Sequence, residues 1–299
     1  MKILLLGKNG QVGWELQRAL APLGQLVCLD RRNADLANAA SVKAALLEYT
    51  PDIIVNAAAY TAVDKAESEV ELANTINAKS VALIAEYAKK NNALFIHYST
   101  DYVFDGTKDG LYTEEDAVNP LSVYGSSKLA GEKAIIASGC RYLVFRTSWV
   151  FAAKGNNFAK TMIRLATERE ELNVVADQFG APTSAELIAD VTANAIIKSE
   201  SSESSESSDF SGVYHLVAKG ETCWHRYAQY VIEKAREKGV EIKCSSEAIL
   251  PIPTEQFPVP ATRPKNSRLN TTKLENKFDI VMPNWQVYVD RMLTEYLEK

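Results

Sequence analysis

Residues 2–16 read KILLLGKNGQVGWEL: an apolar run, a turn with glycines at 7, 10 and 13, and the start of an amphipathic helix. Strand, glycine turn and helix in that order open a βαβ unit. Glycines in such a turn permit a tight bend, let backbone approach a pyrophosphate, and allow the helix to pack close to the strand. The helix behind the turn aims its free N–H groups and positive dipole end at the phosphates. Gly7, Gly10, Gln11, Val12 and Gly13 are therefore the candidate dinucleotide-binding residues of this turn. The spacing departs from GxGxxG by one extra residue between the first two glycines, and a plain strand-to-helix turn is the bland alternative.

Working outward, the same rhythm repeats. The runs QLVCLD, DIIVNAAA, ALFIHYST and RYLVFRTS read as buried strands. Between them, AASVKAALLEY, ELANTINAKSVALIAEYAKK and YGSSKLAGEKAIIAS carry helical spacing. That alternation predicts an α/β fold, a doubly wound parallel Rossmann-type sheet with helices on both faces. After about Ser148 the strands shorten, and a smaller C-terminal α+β substrate domain is expected beside the carboxyl edge of the sheet. The expected division gives residues 1–149, with 180–198, to the dinucleotide-binding domain and residues 150–179 and 210–299 to the substrate domain. Residues 199–209, rich in serine and glutamate, have no side chains to build a core and read as a surface loop. The proline-dense LPIPTEQFPVPATRPKNSRL reads as a long shaped loop.

Composition excludes several function classes. The 299 residues are 46% hydrophobic and 24% charged, the balance of an ordinary globular protein. A net charge of −5 argues against nucleic acid as a partner, which needs a basic surface. The longest apolar runs are far too short to span a membrane, and the first of them leads into glycines rather than a cleavage site. Cys28, Cys140, Cys223 and Cys244 show neither metal-site pairing nor disulfide density, which fits a reduced, cytoplasmic setting. His97, His215 and His225 are scattered, and a lone histidine in an apolar strand such as LFIHYS is more often packed and hydrogen-bonded than catalytic.

Three further stretches carry the chemistry. Asp30 ends the second strand, where a carboxylate accepts hydrogen bonds from ribose hydroxyls and favours NADH; Arg31 and Arg32 follow, suited to a 2′-phosphate and NADPH. Both cofactors are therefore expected to be usable. Asp35 and Leu36 are placed near the adenine, and Ala59, Tyr60 and Thr61 beside the inner phosphate and ribose, with close packing of a small-residue strand end as the alternative for the latter. The fourth strand ends in STDYVF, bringing Thr100 and Asp101 to the sheet edge where open α/β folds bind ligands. Next comes VYGSSKLAGE, with Tyr124 and Lys128 one helical turn apart and small residues between them that leave the surrounding space open. A free phenol, with a pKa of about 10, is a poor acid at neutral pH; a nearby ammonium would lower it. The expected chemistry is proton delivery from Tyr124 to a carbonyl oxygen hydrogen-bonded by Thr100, with Lys128 tuning the phenol and reaching the nicotinamide ribose. YxxxK alone arises by chance in many helices, and its force comes from the glycine turn and the Ser-Thr strand end upstream.

With these residues assembled, the chain resembles the extended short-chain dehydrogenase/reductases and, within them, the dTDP-4-dehydrorhamnose reductase subfamily. GKNGQVGWEL and YGSSKLAGE are shared across the superfamily, while RTSWVF, DQFGAPT and RPKNSRL are closer to the subfamily pattern. The resemblance implies NADPH- or NADH-dependent reduction of the 4-keto group of a dTDP-sugar, dTDP-4-dehydro-L-rhamnose, to dTDP-L-rhamnose for cell-surface polysaccharide such as lipopolysaccharide O-antigen. It makes Thr100, Tyr124 and Lys128 catalytic and sets Asp101 and Trp149 against the sugar, whose C–H face suits an aromatic ring. Plain core is the alternative for Trp149. Arg263 becomes the candidate for the diphosphate, with a structural salt bridge as its alternative. The resemblance also implies a homodimer and Mg²⁺, with Glu15, Glu186 and Glu295 as the matching carboxylates or, equally, solvated surface charges.

Two rival classes stand beside this one. Sugar-nucleotide 4,6-dehydratases use an Asp-Glu pair directly after the threonine, whereas Asp101 is followed here by Tyr102. Nucleotide-sugar epimerases retain a tightly held NAD. A non-catalytic, nucleotide-binding regulatory subunit, of the kind associated with methionine adenosyltransferase, also resembles the subfamily, though retention of Thr100, Tyr124 and Lys128 weighs against it.

Overall fold

The computed structural model of the chain describes residues 1–201 and 210–298. Five apolar runs form strands where β-branched and leucine side chains can be buried on both faces: β1 (Lys2–Leu6), β2 (Gln25–Leu29), β3 (Ile53–Asn56), β4 (Leu94–Thr100) and β5 (Arg141–Thr147). The helices between them are α1 (Gln11–Leu20), α2 (Ala39–Tyr49), the short α3 (Val63–Ala66) and α4 (Val70–Asn74), α5 (Ser80–Asn91) and α6 (Val123–Ser138). The second half runs β6 (Val150–Phe151), α7 (Phe158–Glu168), β7 (Leu172–Val175), β8 (Phe179–Gly180), β9 (Thr183–Ser184), α8 (Ala185–Ser201), β10 (Gly212–His215), β11 (Thr222–Cys223), α9 (Trp224–Glu237), β12 (Ile249–Ile252), α10 (Thr272–Phe278) and α11 (Trp285–Leu297).

The main sheet has six strands in the order β10-β5-β4-β3-β1-β2, every neighbouring pair parallel. The expected doubly wound sheet is therefore present. Its strand order reverses between β1 and β3, the place where such sheets open a ligand crevice at their carboxyl ends. Two apolar layers close its faces. Leu4, Leu6, Ile54 and Phe95 pack on one side with α2 and α5; Ile3, Leu5, Val55 and Phe145 pack on the other with α8 and the last helix, through Ile188 and Val289.

Three details differ from the sequence reading. β10 lies within the stretch expected to belong to the substrate domain, yet it extends the main sheet by pairing with β5, Gly212 to Leu143 through His215 to Arg146. α8 continues through Ser201, three residues into the expected surface loop, because Ser199 is buried there and bonds back to the Ile196 carbonyl; residues 202–209 of that loop lie outside the described residues. The proline-dense segment begins as a strand: β12 pairs in parallel with β7, Pro251 opposite Val174. A two-stranded sheet is all edge, so a proline that donates no hydrogen bond is tolerated there. Among the described residues no helix is long and apolar enough to cross a membrane.

Candidate active site

The carboxyl ends of β1 to β5 open onto one cleft of about 920 Å³, lined successively by Gly7, Asp30, Ala57, Thr100 and Thr147. At its β1 end Gly7 has φ +85°, a conformation open to glycine, and a Cβ there would stand 2.7 Å from the Ala58 nitrogen. A Cβ on Gly13 would collide with the Gly7 carbonyl, so α1 can press onto the turn only with glycine at that position. Gly10 caps α1 without a side chain, and Gln11 and Val12, its first residues, face the cleft. A bare helix N-terminus facing a cleft across a backbone turn is suited to phosphate groups.

The rim beyond this turn is charged. Asp30 accepts from Arg32 Nη2 at 2.8 Å and from the Arg32 backbone N–H at 3.0 Å, which hold its carboxyl down to about 2. Lys8 stands 4.0 Å away. Arg31, itself on the cleft wall, pairs with Asp35 at 3.4 Å, and Leu36 lies beside them. Ala59, Tyr60 and Thr61 line the wall after β3. Tyr60 is clamped there: Asn77 accepts its backbone N–H at 2.9 Å and donates to its carbonyl at 3.0 Å.

At the other end, Thr100, Asp101, Tyr124 and Lys128 share one corner of the cleft. Thr100 ends β4 and Asp101 opens the 3₁₀ turn that follows, and Ser122 caps α6 by accepting the Gly125 N–H at 3.2 Å. The small residues in VYGSSKLAGE do not leave room; they close it. A Cβ on Gly125 would collide with the Tyr102 carbonyl, and Ser127 accepts from Asn77 at 3.0 Å. α6 thus seats directly on the turn after β4, which brings Tyr124 to the same cleft wall as Thr100, whose Oγ1 accepts the Tyr102 N–H at 3.2 Å and donates to Asp101 Oδ1 at 3.0 Å. Tyr102 packs edge-on against Tyr124, ring centroids 5.6 Å apart at 77°, where the dehydratase pattern would have glutamate.

The electrostatics of this corner depart from expectation at one point. Burial pushes the Tyr124 phenol up to about 12; the Thr100 hydrogen bond pulls the other way and the Asp101 charge adds to the rise. Lys128 does not counter this. Its ammonium nitrogen is 2.6 Å from the Tyr98 carbonyl and 3.1 Å from His97 Nε2, and burial lowers it to about 8 against the pull of Glu132. Burial, rather than the ammonium, sets the direction in which the phenol is shifted here. Burial likewise raises Asp101 to about 6. Asp101 Oδ2, Ser99 Oγ and Thr147 Oγ1 are buried, border the cleft and make no hydrogen bond among the described residues. Such orphaned oxygens call for a polar occupant.

Trp149 forms the far wall. Its φ is +48°, strained for a bulky residue, and it is held by a face-to-face stack on Trp224 with centroids 3.6 Å apart. Gly180 leaves the room it needs, since a Cβ there would be 2.9 Å from the indole. Trp224 also lines the cleft, and its indole N–H donates to Gln178 at 3.1 Å. Arg263 pairs with Asp64, Nη1 to Oδ1 at 3.1 Å and Nη2 to Oδ2 at 2.8 Å, the geometry of the salt bridge given as its alternative.

The three glutamates proposed for a metal do approach one another. Burial, and the charges of Glu186 and Glu295, raise the Glu15 carboxyl. Arginines occupy the gaps, however: Arg291 donates to both oxygens of Glu186 at 2.9 and 2.8 Å, and Arg18 pairs with Glu15 at 3.5 Å. Among the described residues no group of three or more ligand side chains is placed to hold a metal ion. The set does not fit Mg²⁺, which needs free carboxylate oxygens.

Asn77, Asn56 and Trp224 carry no signal in the sequence, while His97 is packed and hydrogen-bonded as its strand position predicts. Asn77 sits in a π-helical turn (Thr75–Lys79) inside what reads as one helix, and only its tertiary partners reveal it. His97 read as a packed strand residue; its contact with Lys128 comes from α6, far along the chain.

The family described as RmlD substrate binding domain matches residues 1–298. The chain is 55% identical to the dTDP-4-dehydrorhamnose reductase of Escherichia coli K12 and 53% identical to that of Salmonella typhimurium, each over 99% of this chain and 98% of the relative. A solved dTDP-4-dehydrorhamnose reductase from Bacillus anthracis, in complex with NADP, superposes with a TM-score of 0.87 at 35% identity, covering 98% of this chain and 99% of that one.

Proposed function

The chain belongs to the RmlD substrate binding domain family, and from that premise we propose that it reduces the 4-keto group of dTDP-4-dehydro-L-rhamnose to dTDP-L-rhamnose, using NADPH or NADH. The observation that carries this reading is the placement of Thr100, Tyr124 and Lys128 at one end of a cleft whose other end is a glycine turn and a bare helix N-terminus.

NAD(P)H, when bound, supplies the hydride. The turn at Gly7, Gly10 and Gly13 with Gln11 and Val12 would take its phosphates, Asp30 or Arg31 and Arg32 its adenosine ribose, Asp35 and Leu36 its adenine, and Ala59, Tyr60 and Thr61 its inner phosphate and ribose. Gly7's backbone-crowded position and the open N-terminus of α1 fit a pyrophosphate. Thr100 orients the ketone oxygen, and Tyr124 gives it a proton. A phenol held up to about 12 keeps that proton at neutral pH, as a donor must. Lys128, lowered to about 8, lies close enough to working pH to restore the proton and has its remaining donor for the nicotinamide ribose. Asp101 and the Trp149 face contact the sugar. The protein acts as a cytoplasmic homodimer whose product feeds cell-surface polysaccharide, a reading supported by the subfamily resemblance. No step runs through Mg²⁺.

A panel of nucleotide-4-ketosugars assayed with NADH and NADPH, with and without chelator, tests this. dTDP-4-dehydro-L-rhamnose should be consumed fastest with either cofactor, and chelator should change nothing. Stoichiometric NAD in the purified protein would indicate an epimerase; binding without cofactor oxidation would indicate a regulatory subunit.

A further inference from the structure

Behind Lys128 lies a row of buried groups that the reaction as described does not use. His97 is 1% exposed, Asn56 1% and Lys128 2%. His97 Nε2 is 3.1 Å from Lys128 Nζ, and His97 Nδ1 is 3.3 Å from Asn56 Nδ2. The orientation of the Asn56 amide is set by its neighbour, because its Oδ1 accepts the Ala58 N–H at 3.1 Å. The Asn56 nitrogen therefore points a donor at Nδ1.

A neutral imidazole has one donor and one acceptor. If Lys128 is an ammonium, Nε2 must accept from it, so Nδ1 carries the hydrogen and meets the Asn56 donor head-on. Flipping Asn56 only moves the clash to the Ala58 N–H. If Lys128 is a neutral amine, every group finds a partner: Asn56 donates to Nδ1, Nε2–H donates to the amine, and the amine donates to the Tyr98 carbonyl at 2.6 Å. A buried donor facing a donor is costly. Burial and the Lys128 charge both hold the imidazole itself neutral.

We propose that His97, oriented by Asn56, is a positioning residue that biases Lys128 toward its neutral amine, so that the protonated form readily passes its proton to the Tyr124 phenolate. One proton leaves Lys128 Nζ and one reaches Tyr124 Oη, relayed through a water between them because Nζ itself is turned to the Tyr98 carbonyl and His97, and the amine is left as acceptor of the His97 Nε2–H. The groups facing Lys128 are His97 and Tyr98 from β4, Tyr124 one turn earlier and Glu132 one turn later on α6. Glu132 pushes Lys128 the other way but is itself tied to Arg146 of β5, Nη2 to Oε2 at 2.7 Å. The lowered pKa of Lys128, about 8, agrees with the bias.

This inference rests on the proposed reductase reading for its purpose, and its test separates the two. In the full-length protein labelled with ¹⁵N-histidine, the His97 nitrogens are followed by NMR from pH 6 to 10, and kcat/KM is profiled against pH for wild type, Asn56→Asp and His97→Gln. Asn56→Asp keeps an acceptor for Ala58 and replaces the donor facing Nδ1 by an acceptor. It should lock the Nδ1–H tautomer and move the alkaline limb of kcat/KM up by about one pH unit. His97→Gln, which can offer Lys128 a carbonyl oxygen, should move it the same way. Wild type should show the Nε2–H tautomer above the limb. An Nδ1–H tautomer across the whole range in wild type, or an unmoved limb in a folded Asn56→Asp protein, overturns the proposal. Absence of turnover in wild type with every ketosugar would instead overturn the reductase reading, while the tautomer measurement still decides this one.

Discussion

The two ends of the cleft are built on different principles. At the Tyr124 corner, Thr100, Asp101 and Lys128 are buried, and Tyr124 is held by the seating of α6 on the Tyr102 turn. At the glycine-turn rim, Arg31 and Arg32 are 78% and 86% exposed and reach the part-exposed Asp35 and the buried Asp30. Burial in the corner pushes Tyr124 and Asp101 up and Lys128 down, whereas an exposed ion pair such as Arg31–Asp35 is worth little. The corner is thereby held by packing, while the arginine side chains of the rim reach into solvent.

The largest expected effect breaks the corner alone. Tyr124→Phe should lower kcat by about a hundred- to ten-thousand-fold, while NADPH binding, measured by fluorescence titration, stays near wild type; near-normal turnover would remove Tyr124 from its role. Gly125→Ala tests how tightly α6 is seated. The added methyl meets the Tyr102 carbonyl, and the strain should cost about 1–3 kcal/mol in chemical denaturation; an unchanged midpoint would show that the contact yields. Trp224→Ala removes the partner that holds Trp149 in its left-handed conformation. KM for the sugar should rise about three- to tenfold with kcat less affected, and an unchanged KM would place the indole pair outside the sugar site. The smallest effect belongs to the rim: Arg32→Ala should weaken NADPH about fivefold at low salt and leave NADH nearly untouched. Equal losses for both would mean that Arg32 serves to hold Asp30 rather than to choose a cofactor.

The same contrast governs what the sequence makes legible. The six-stranded parallel sheet follows from local patterns: buried apolar runs, helical spacing and a glycine turn are all properties of short windows. The positions of Thr100, Tyr124 and Lys128 follow as well, since a strand end and one helical turn place them. The phenol's protonation was not legible, because it depends on burial and on where the Lys128 ammonium points, toward the Tyr98 carbonyl and His97. The break of one apparent helix into α4, a π turn and α5 was hidden for a related reason. Asn77 is drawn out of register to bind Tyr60 and Ser127, partners that local spacing cannot supply. β12 escaped because prolines read as loop until a lone edge partner is known.

The central claim is that this corner reduces a sugar ketone with a proton from Tyr124 and a hydride from the nicotinamide. It is tested most directly by turning over dTDP-4-dehydro-L-rhamnose with NADPH deuterated at the transferable position of the ring and analysing the sugar by mass spectrometry and NMR. One deuterium at C4 of dTDP-L-rhamnose for each cofactor oxidised is the predicted result. A sugar recovered unchanged, with both ligands bound and the cofactor still reduced, would contradict it.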